Sequence, residues 1–114
     1  MTTFFYHWNN IPDDFVGRCY CKLQAAYYWI GKNKVYHRED GPAVLYDSGT
    51  EIWMKDGMWH RLDGPALSSK DFPNTYWIND KAVSDEDFYN HPLVLKHKLD
   101  SILALGESVD LTLL

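Results

Sequence analysis

The heptapeptide HREDGPA at residues 37–43 returns as HRLDGPA at residues 60–66. A chain that repeats itself at an interval of about two dozen residues is confined to stacked copies of one supersecondary unit. Three tryptophans keep a similar beat: Trp29, Trp53 and Trp77 lie 24 and 24 residues apart. Gly17 and Gly41 precede the first two by 12 residues, and Gly64 precedes the third by 13. Residues 15–29, FVGRCYCKLQAAYYW, therefore read as a worn first copy of the unit spelled out at 40–53 and 63–77.

Within a unit the punctuation is that of hairpins. Residues 43–46 form a short apolar run, Asp47-Ser48-Gly49 a turn, residues 51–54 a second run and Lys55-Asp56-Gly57 another turn. Asp-Gly between apolar residues signals a tight hairpin, because the turn needs positive φ that Gly and Asp tolerate. Residues 58–61 return as the next strand, and Asp63-Gly64-Pro65 closes the unit. Gly31-Lys32-Asn33 and Asn79-Asp80 fill the matching turns of the neighbouring copies. The fold expected is mainly β: a meandering antiparallel sheet of β-hairpin repeats of about 24 residues, spanning 15–83.

Such a sheet leaves an apolar face and a last edge to be covered. Residues 84–106 supply a helical cap. Ser84 is the N-cap of a helix whose first turn carries Asp85, Glu86 and Asp87, where the helix dipole favours acids. His91-Pro92 interrupts, and Pro92 at a first helical position starts a second helix. There Leu95, Leu99, Ile102 and Leu105 form an apolar stripe, with Gly106 as the stop. The stripe predicts packing on the domain's own core, with a partner-binding helix as the alternative. In the tail, 107–114, Val109, Leu111 and Leu113 alternate as an edge strand or a frayed end would. At 114 residues, 1–114 is a single domain.

Composition narrows the function. The net charge is −5, and no basic stripe is present to grip phosphates, so no nucleic-acid partner is expected. No apolar run reaches membrane-spanning length, and the opening MTTFFYHWNN lacks the basic and apolar regions of a signal peptide. Cys19 and Cys21, two positions apart, suit neither an easy disulfide nor a zinc site. These features predict a cytoplasmic protein with reduced thiols, no metal, no cofactor and no membrane partner.

The heptapeptide itself looks like a catalytic group. On a strand, His37 shares a face with Glu39 and Arg38 with Asp40, and a histidine beside acids is what general-base catalysis requires. Repetition points elsewhere. A catalytic constellation is needed once, a stacking element in every unit, and Glu39 is replaced by Leu62 in the second copy. His37, Asp40, Gly41 and Pro42 are therefore assigned to structure, as are His60, Asp63, Gly64, Pro65 and the tryptophans Trp29, Trp53 and Trp77. Asp accepts local N–H bonds, Gly permits unusual φ, Pro fixes the exit, and Arg and His bridge to the next hairpin. No phosphate cradle, nucleophile elbow or metalloprotease helix occurs, and no enzyme is expected.

Tyr36 and Trp59 occupy the same place in successive units, just before the histidine, and Tyr27, Tyr28, Tyr46 and Tyr76 add to them. Two explanations stay open. They form a ladder of cross-strand packing pairs, or they line an exposed face with Arg38 and Arg61 interspersed, the mix enriched at protein-binding hot spots. The second nominates Tyr36, Arg38, Tyr46, Trp59 and Arg61 as partner-binding residues.

The pattern W-x-x-(N/D)-(G/D)-x-x-HRxDGPA, led in by IPDDFVG and closed by YWINDKAVSDEDF, resembles the HREDGPA-repeat proteins of tailed bacteriophages, grouped with MORN-like repeats. The resemblance covers residues 11–90. It departs in the first unit, where Leu23-Gln24-Ala25-Ala26 replaces the Asp-Gly turn, and in the third, where no HRxDGPA follows Asn79-Asp80. What it implies is a sheet of MORN-like hairpin repeats and a phage accessory protein in the host cytoplasm; it carries no activity with it. The expected function is a non-enzymatic protein-binding module that inhibits or redirects a host protein, such as a component of antiviral defence. The alternatives are two. One is a small-ligand or nucleotide-sequestering binder, in which Arg38 and Arg61 supply charge and the aromatics stack. The other is an assembly protein that forms homo-oligomers through its sheet edges.

Overall fold

A computed structural model of the chain describes residues 2–106. Ten strands precede two α-helices. The strands are β1 (Thr3–Phe5), β2 (Gly17–Cys21), β3 (Ala26–Ile30), β4 (Val44–Tyr46), β5 (Glu51–Ile52), β6 (Met54–Lys55), β7 (Met58–Trp59), β8 (Leu67–Ser68), β9 (Tyr76–Ile78) and β10 (Lys81–Val83). The helices are α1 (Asp85–Tyr89) and α2 (Pro92–Ala104). A six-stranded sheet runs β1-β2-β3-β4-β5-β8, and β6–β7 and β9–β10 form two hairpins. The described chain is thus mainly β and rich in antiparallel pairs, with helices at its C-terminal end. It is not a pure antiparallel meander: β1 lies parallel to β2, with Thr3 opposite Cys19. Residues 6–16 make the crossover that a parallel pair needs.

Strand alternation sorts the side chains onto two faces. One row runs Cys19, Tyr28, Val44, Ile52 and Leu67 across five strands. Cys19, Tyr28 and Val44 are buried there, together with Cys21, Ala26, Ile30 and Met54. The crossover segment folds over one end of this face. It buries Ile11 beside Phe5 and Phe15, and Lys34 Nζ ties the segment down by donating to the Ile11 carbonyl at 2.9 Å.

The heptapeptide acts as a stitch, and both copies make the same contacts. Nδ1 of His37 accepts the Asp56 backbone N–H at 2.9 Å, and Nδ1 of His60 accepts that of Asn79 at 3.0 Å. Each histidine thereby holds the turn of the following hairpin. Arg38 Nε donates to Asp40 at 3.2 Å and Arg61 Nε to Asp63 at 2.8 Å. Their Nη1 groups donate to the Pro42 and Pro65 carbonyls, both at 3.2 Å. The Arg38 guanidinium lies 4.0 Å over the Trp29 ring and that of Arg61 lies 3.7 Å over Trp53. The sequence predicted that arginine would bridge forward to the next hairpin. Its side chain instead closes its own loop and clamps the tryptophan of the preceding strand, and only its backbone N–H reaches forward, to Met54 or Trp77.

Three turns carry paired left-handed residues: Asn33-Lys34, Asp56-Gly57 and Asn79-Asp80. The first is centred one residue later than Gly31-Lys32-Asn33 had indicated. All three lie 23 residues apart, which corrects the equivalence of the tryptophans. Arg38 N–H donates to the Met54 carbonyl and Arg61 N–H to that of Trp77, so Trp77 stands in the place of Met54. Tyr76 takes the place of Trp53. A one-residue shift reverses the face a strand residue occupies, and Trp77 accordingly packs against Trp59 with ring centroids 5.2 Å apart.

At Tyr76 the stitch ends, because Ser84 stands where a third arginine would. The Ser84 hydroxyl accepts the Asp87 N–H at 3.1 Å and starts α1 instead. This helix brings the fully buried Phe88 to 4.7 Å from the Tyr76 ring, so an aromatic side chain covers the third ring in place of a guanidinium. Phe88, Ile78 and Val94 form a second core cluster that Leu62 joins, which explains why the second heptapeptide carries leucine where the first has Glu39.

Helix α2 starts at His91 and Pro92 as expected, His91 Nδ1 accepting the Leu93 N–H at 3.1 Å. Its rotation matches the predicted stripe only in part: Leu99 and Ile102 are half-buried. Val94 is 7 % exposed, whereas Leu95 is 51 % and Leu105 75 % exposed. Docking of Val94 beside Phe88 turns Leu95 outward. No helix among the described residues is long and apolar enough to cross a membrane. The expectation for the tail 107–114 lies outside the described residues.

Candidate functional site

The five residues nominated for partner binding separate into two groups. Tyr36, Tyr46 and Trp59 converge on one sheet face and pack, half-buried, against the main core cluster. Arg38 and Arg61 are elsewhere, held over Trp29 and Trp53 by their own loops. The rings thus pack against the core on their inner sides and line a groove on their outer sides, but the two arginines are not interspersed among them as the second explanation required.

That groove has a volume of about 410 Å³ and is lined by Trp8, Gln24, Tyr28, Tyr36, Val44, Tyr46, Ile52, Met54 and Trp59. Alternation places most of these side chains. Tyr28 lies opposite Val44, and Val44 opposite Ile52. Met54 lies opposite Trp59 in the β6–β7 hairpin. Tyr36 stacks on Tyr28, ring centroids 5.4 Å apart and planes 27° from parallel. Trp8 arrives from the crossover segment, its backbone N–H donating to Gln24 Oε1 at 3.2 Å. None of the nine side chains is charged. Burial raises the Tyr28 and Tyr36 hydroxyls above the ordinary tyrosine value, so the phenols stay protonated. An apolar, aromatic concavity of this size with a few polar tips is the usual form of a binding site.

A smaller cavity of about 260 Å³ lies between the two heptapeptides. Its cations Arg38, Lys55 and Arg61 are matched by Glu39, Asp40 and Asp63, so it offers no net field for an anion. His37 is committed within the same network: Nδ1 accepts the Asp56 backbone N–H at 2.9 Å, and Nε2 lies 3.0 Å from Glu39. Among the described residues no group of three or more His, Cys, Asp or Glu side chains could hold a metal ion. Cys19 and Cys21 share one face, as their spacing indicated, and both are buried. Burial, and then the neighbouring Cys21, push the Cys19 thiol up to about 12, so it is a poor nucleophile at neutral pH.

Sequence reasoning did not nominate Trp8, Gln24, Val44, Ile52 or Met54 for the groove, and it counted Tyr28 among the aromatics without naming it as partner-binding. Tyr28 was recoverable, since strand alternation with Ala26 and Ile30 puts it on the core face. Trp8 was not, because only the folding of the crossover brings it beside Gln24. Comparison of the chain with protein-family models, with curated proteins and with solved structures found no match.

Proposed function

We propose that this chain is a non-enzymatic binding module of MORN-like hairpin repeats, which holds a segment of a partner protein in the groove around Tyr36, Tyr46 and Trp59. The observation that carries the proposal is the groove itself: about 410 Å³ of uncharged, largely aromatic surface on a rigid sheet. Tyrosine and tryptophan with one packed and one open side supply large contact area at low entropic cost, as hot-spot residues do. The identification of the partner as a host protein rests on the resemblance to phage HREDGPA-repeat proteins alone. Arg38 and Arg61 serve as stitches under this proposal and take no part in recognition.

The test is retention of a partner from host lysate by the immobilised wild-type chain, by Tyr36→Ala and Trp59→Ala, and by Arg38→Ala. Specific retention that both aromatic variants lose, and that Arg38→Ala keeps at a temperature where it is folded, is the expected result. Equal retention by all four chains, or none by the wild type, would sink the proposal.

A further inference from the structure

We infer that the chain pairs with a second copy of itself along β1, extending the six-stranded sheet across a two-fold axis at Phe4. That sheet ends in two edges, and the fold treats them differently. At the β8 edge the chain returns and closes the row: Leu67 N–H donates to the Thr75 carbonyl at 3.2 Å, and Thr75 N–H donates to that of Leu67 at 3.1 Å. Among the described residues, nothing closes the β1 edge in this way. β1 pairs with β2 alone, and Thr3 and Phe4 are both exposed. The Phe5 carbonyl accepts the Lys22 N–H at 3.0 Å, so the backbone of Phe5 faces β2. Alternate residues of a strand turn their N–H and C=O groups to opposite edges. Those of Phe4 therefore point outward, with no partner among the described residues.

An open edge is a template for another strand, and three features select a second copy of this one. Edges that must stay single are guarded by charge or proline, whereas residues 2–8, TTFFYHW, contain no Asp, Glu, Lys, Arg or Pro. About a two-fold axis the central residue meets its own copy, a meeting that like charges oppose and aromatic rings favour. Here the two Phe4 residues face each other and exchange both backbone bonds. The Phe4 ring is 62 % exposed and already stands edge-on to Tyr20 at 6.1 Å. Tyr20 lies 4.8 Å from Tyr27, so pairing joins two three-ring rows into one aromatic strip shared by both copies. Lastly, one edge is open and the other closed, so association stops at two copies and cannot propagate into a fibre.

The experiment is sedimentation equilibrium of the full chain from about 1 μM to 1 mM, where small interfaces associate. A reversible monomer–dimer equilibrium without larger species is expected. Each copy carries a net charge of −5 and β1 carries none, so added salt should tighten the dimer by screening the repulsion. Phe4→Lys sets like charges face to face and should abolish it. Phe4→Pro removes the outward N–H, which the β1–β2 ladder does not use, and should weaken the dimer at least about 10-fold. Phe72→Lys makes the same charge change at another exposed ring, after β8, and should leave the dimer intact. Amide exchange at Phe4 should slow as concentration rises, while exchange at Phe5, already bonded to β2, should not. Melting temperatures verify that each variant is folded; if Phe4→Pro is not, Phe4→Lys and the exchange data carry the test. A chain that stays monomeric throughout, assembles beyond two copies or dissociates on adding salt overturns the inference. So does a dimer that survives Phe4→Lys, or that Phe72→Lys disrupts equally. Phe4 does not line the groove around Tyr36, Tyr46 and Trp59, so either result leaves the partner-binding role standing.

Discussion

Arg38 sits in a slot with four walls: the Trp29 ring, the Asp40 carboxylate, the Pro42 carbonyl and the backbone of Gly41. The glycine leaves room for this close approach. A Cβ at Gly41 would lie 2.4 Å from Arg38 Cζ, and one at Gly64 would lie 2.8 Å from Arg61 Cζ. Gly41→Ala should therefore expel the guanidinium at a cost of about 1–3 kcal/mol, and Gly64→Ala should cost less. In an Arg38→Ala background the same Gly41→Ala change should be close to neutral, because the side chain it collides with is gone; urea denaturation of the double-mutant cycle checks this. His60 gives the motif a pH dependence. Burial, with Lys55 and then His97 nearby, lowers its pKa below the ordinary 6.5. The folded state then binds the proton less readily than the unfolded chain. The contribution of His60 is complete above about 6.5 and is lost as pH falls through the lower folded value. The urea midpoint should drop on acidification across that window, and His60→Ala should flatten the slope while lowering stability at neutral pH through loss of the bond to Asn79.

Among the elements, α2 shows how a helix can be legible while its rotation is not. Ser84, Pro92 and Gly106 marked its surroundings, and the N-caps formed where those residues indicated. Of the four stripe residues, Leu99 and Ile102 are half-buried while Leu95 and Leu105 are exposed, so the spacing located the buried side only in part. Leucine, isoleucine or valine occurs on most faces of Pro92–Ala104, so periodicity offered more than one stripe. Contact with Phe88 chose Val94. Val94→Ala should therefore cost about 2 kcal/mol by area lost from the core, while Leu95→Gln should stay within about 0.5 kcal/mol of wild type. Thermal denaturation distinguishes them, and the reverse order would refute the observed rotation. The β5–β6 region shows a related limit. The run 51–54 read as one strand, and the structure divides it at Trp53, whose N–H donates to Ala66 and whose carbonyl accepts from His60. Its first half pairs with β4 and β8 and its second half with β7.

The described residues form an elongated body, 53 × 31 × 21 Å, and contain two core clusters. In a stacked array each unit is stabilised mainly by its neighbours, so the ends open most easily. Phe88→Ala should remove about 3–5 kcal/mol from the C-terminal cluster. Hydrogen exchange should then show the amides of Ile78 and Val94 losing protection while that of Tyr28 keeps it; uniform loss across the chain would show that the two clusters unfold as one. What the sequence determined by itself was the local chemistry: Asp-Gly and Asn-Asp turns, capped helix starts, alternating strands, and a heptapeptide whose second copy marked it as architecture. Those features are encoded within a few residues, where turn and cap preferences act. Tertiary structure alone decided which tyrosine or tryptophan is equivalent to which, that the arginines clamp backward while the histidines hold forward, and that Trp8 closes a groove with Tyr36, Tyr46 and Trp59. Each of these depends on register and on contacts between segments distant along the chain, and a shift of one residue, invisible in an even spacing of tryptophans, was enough to move Trp77 to the opposite face.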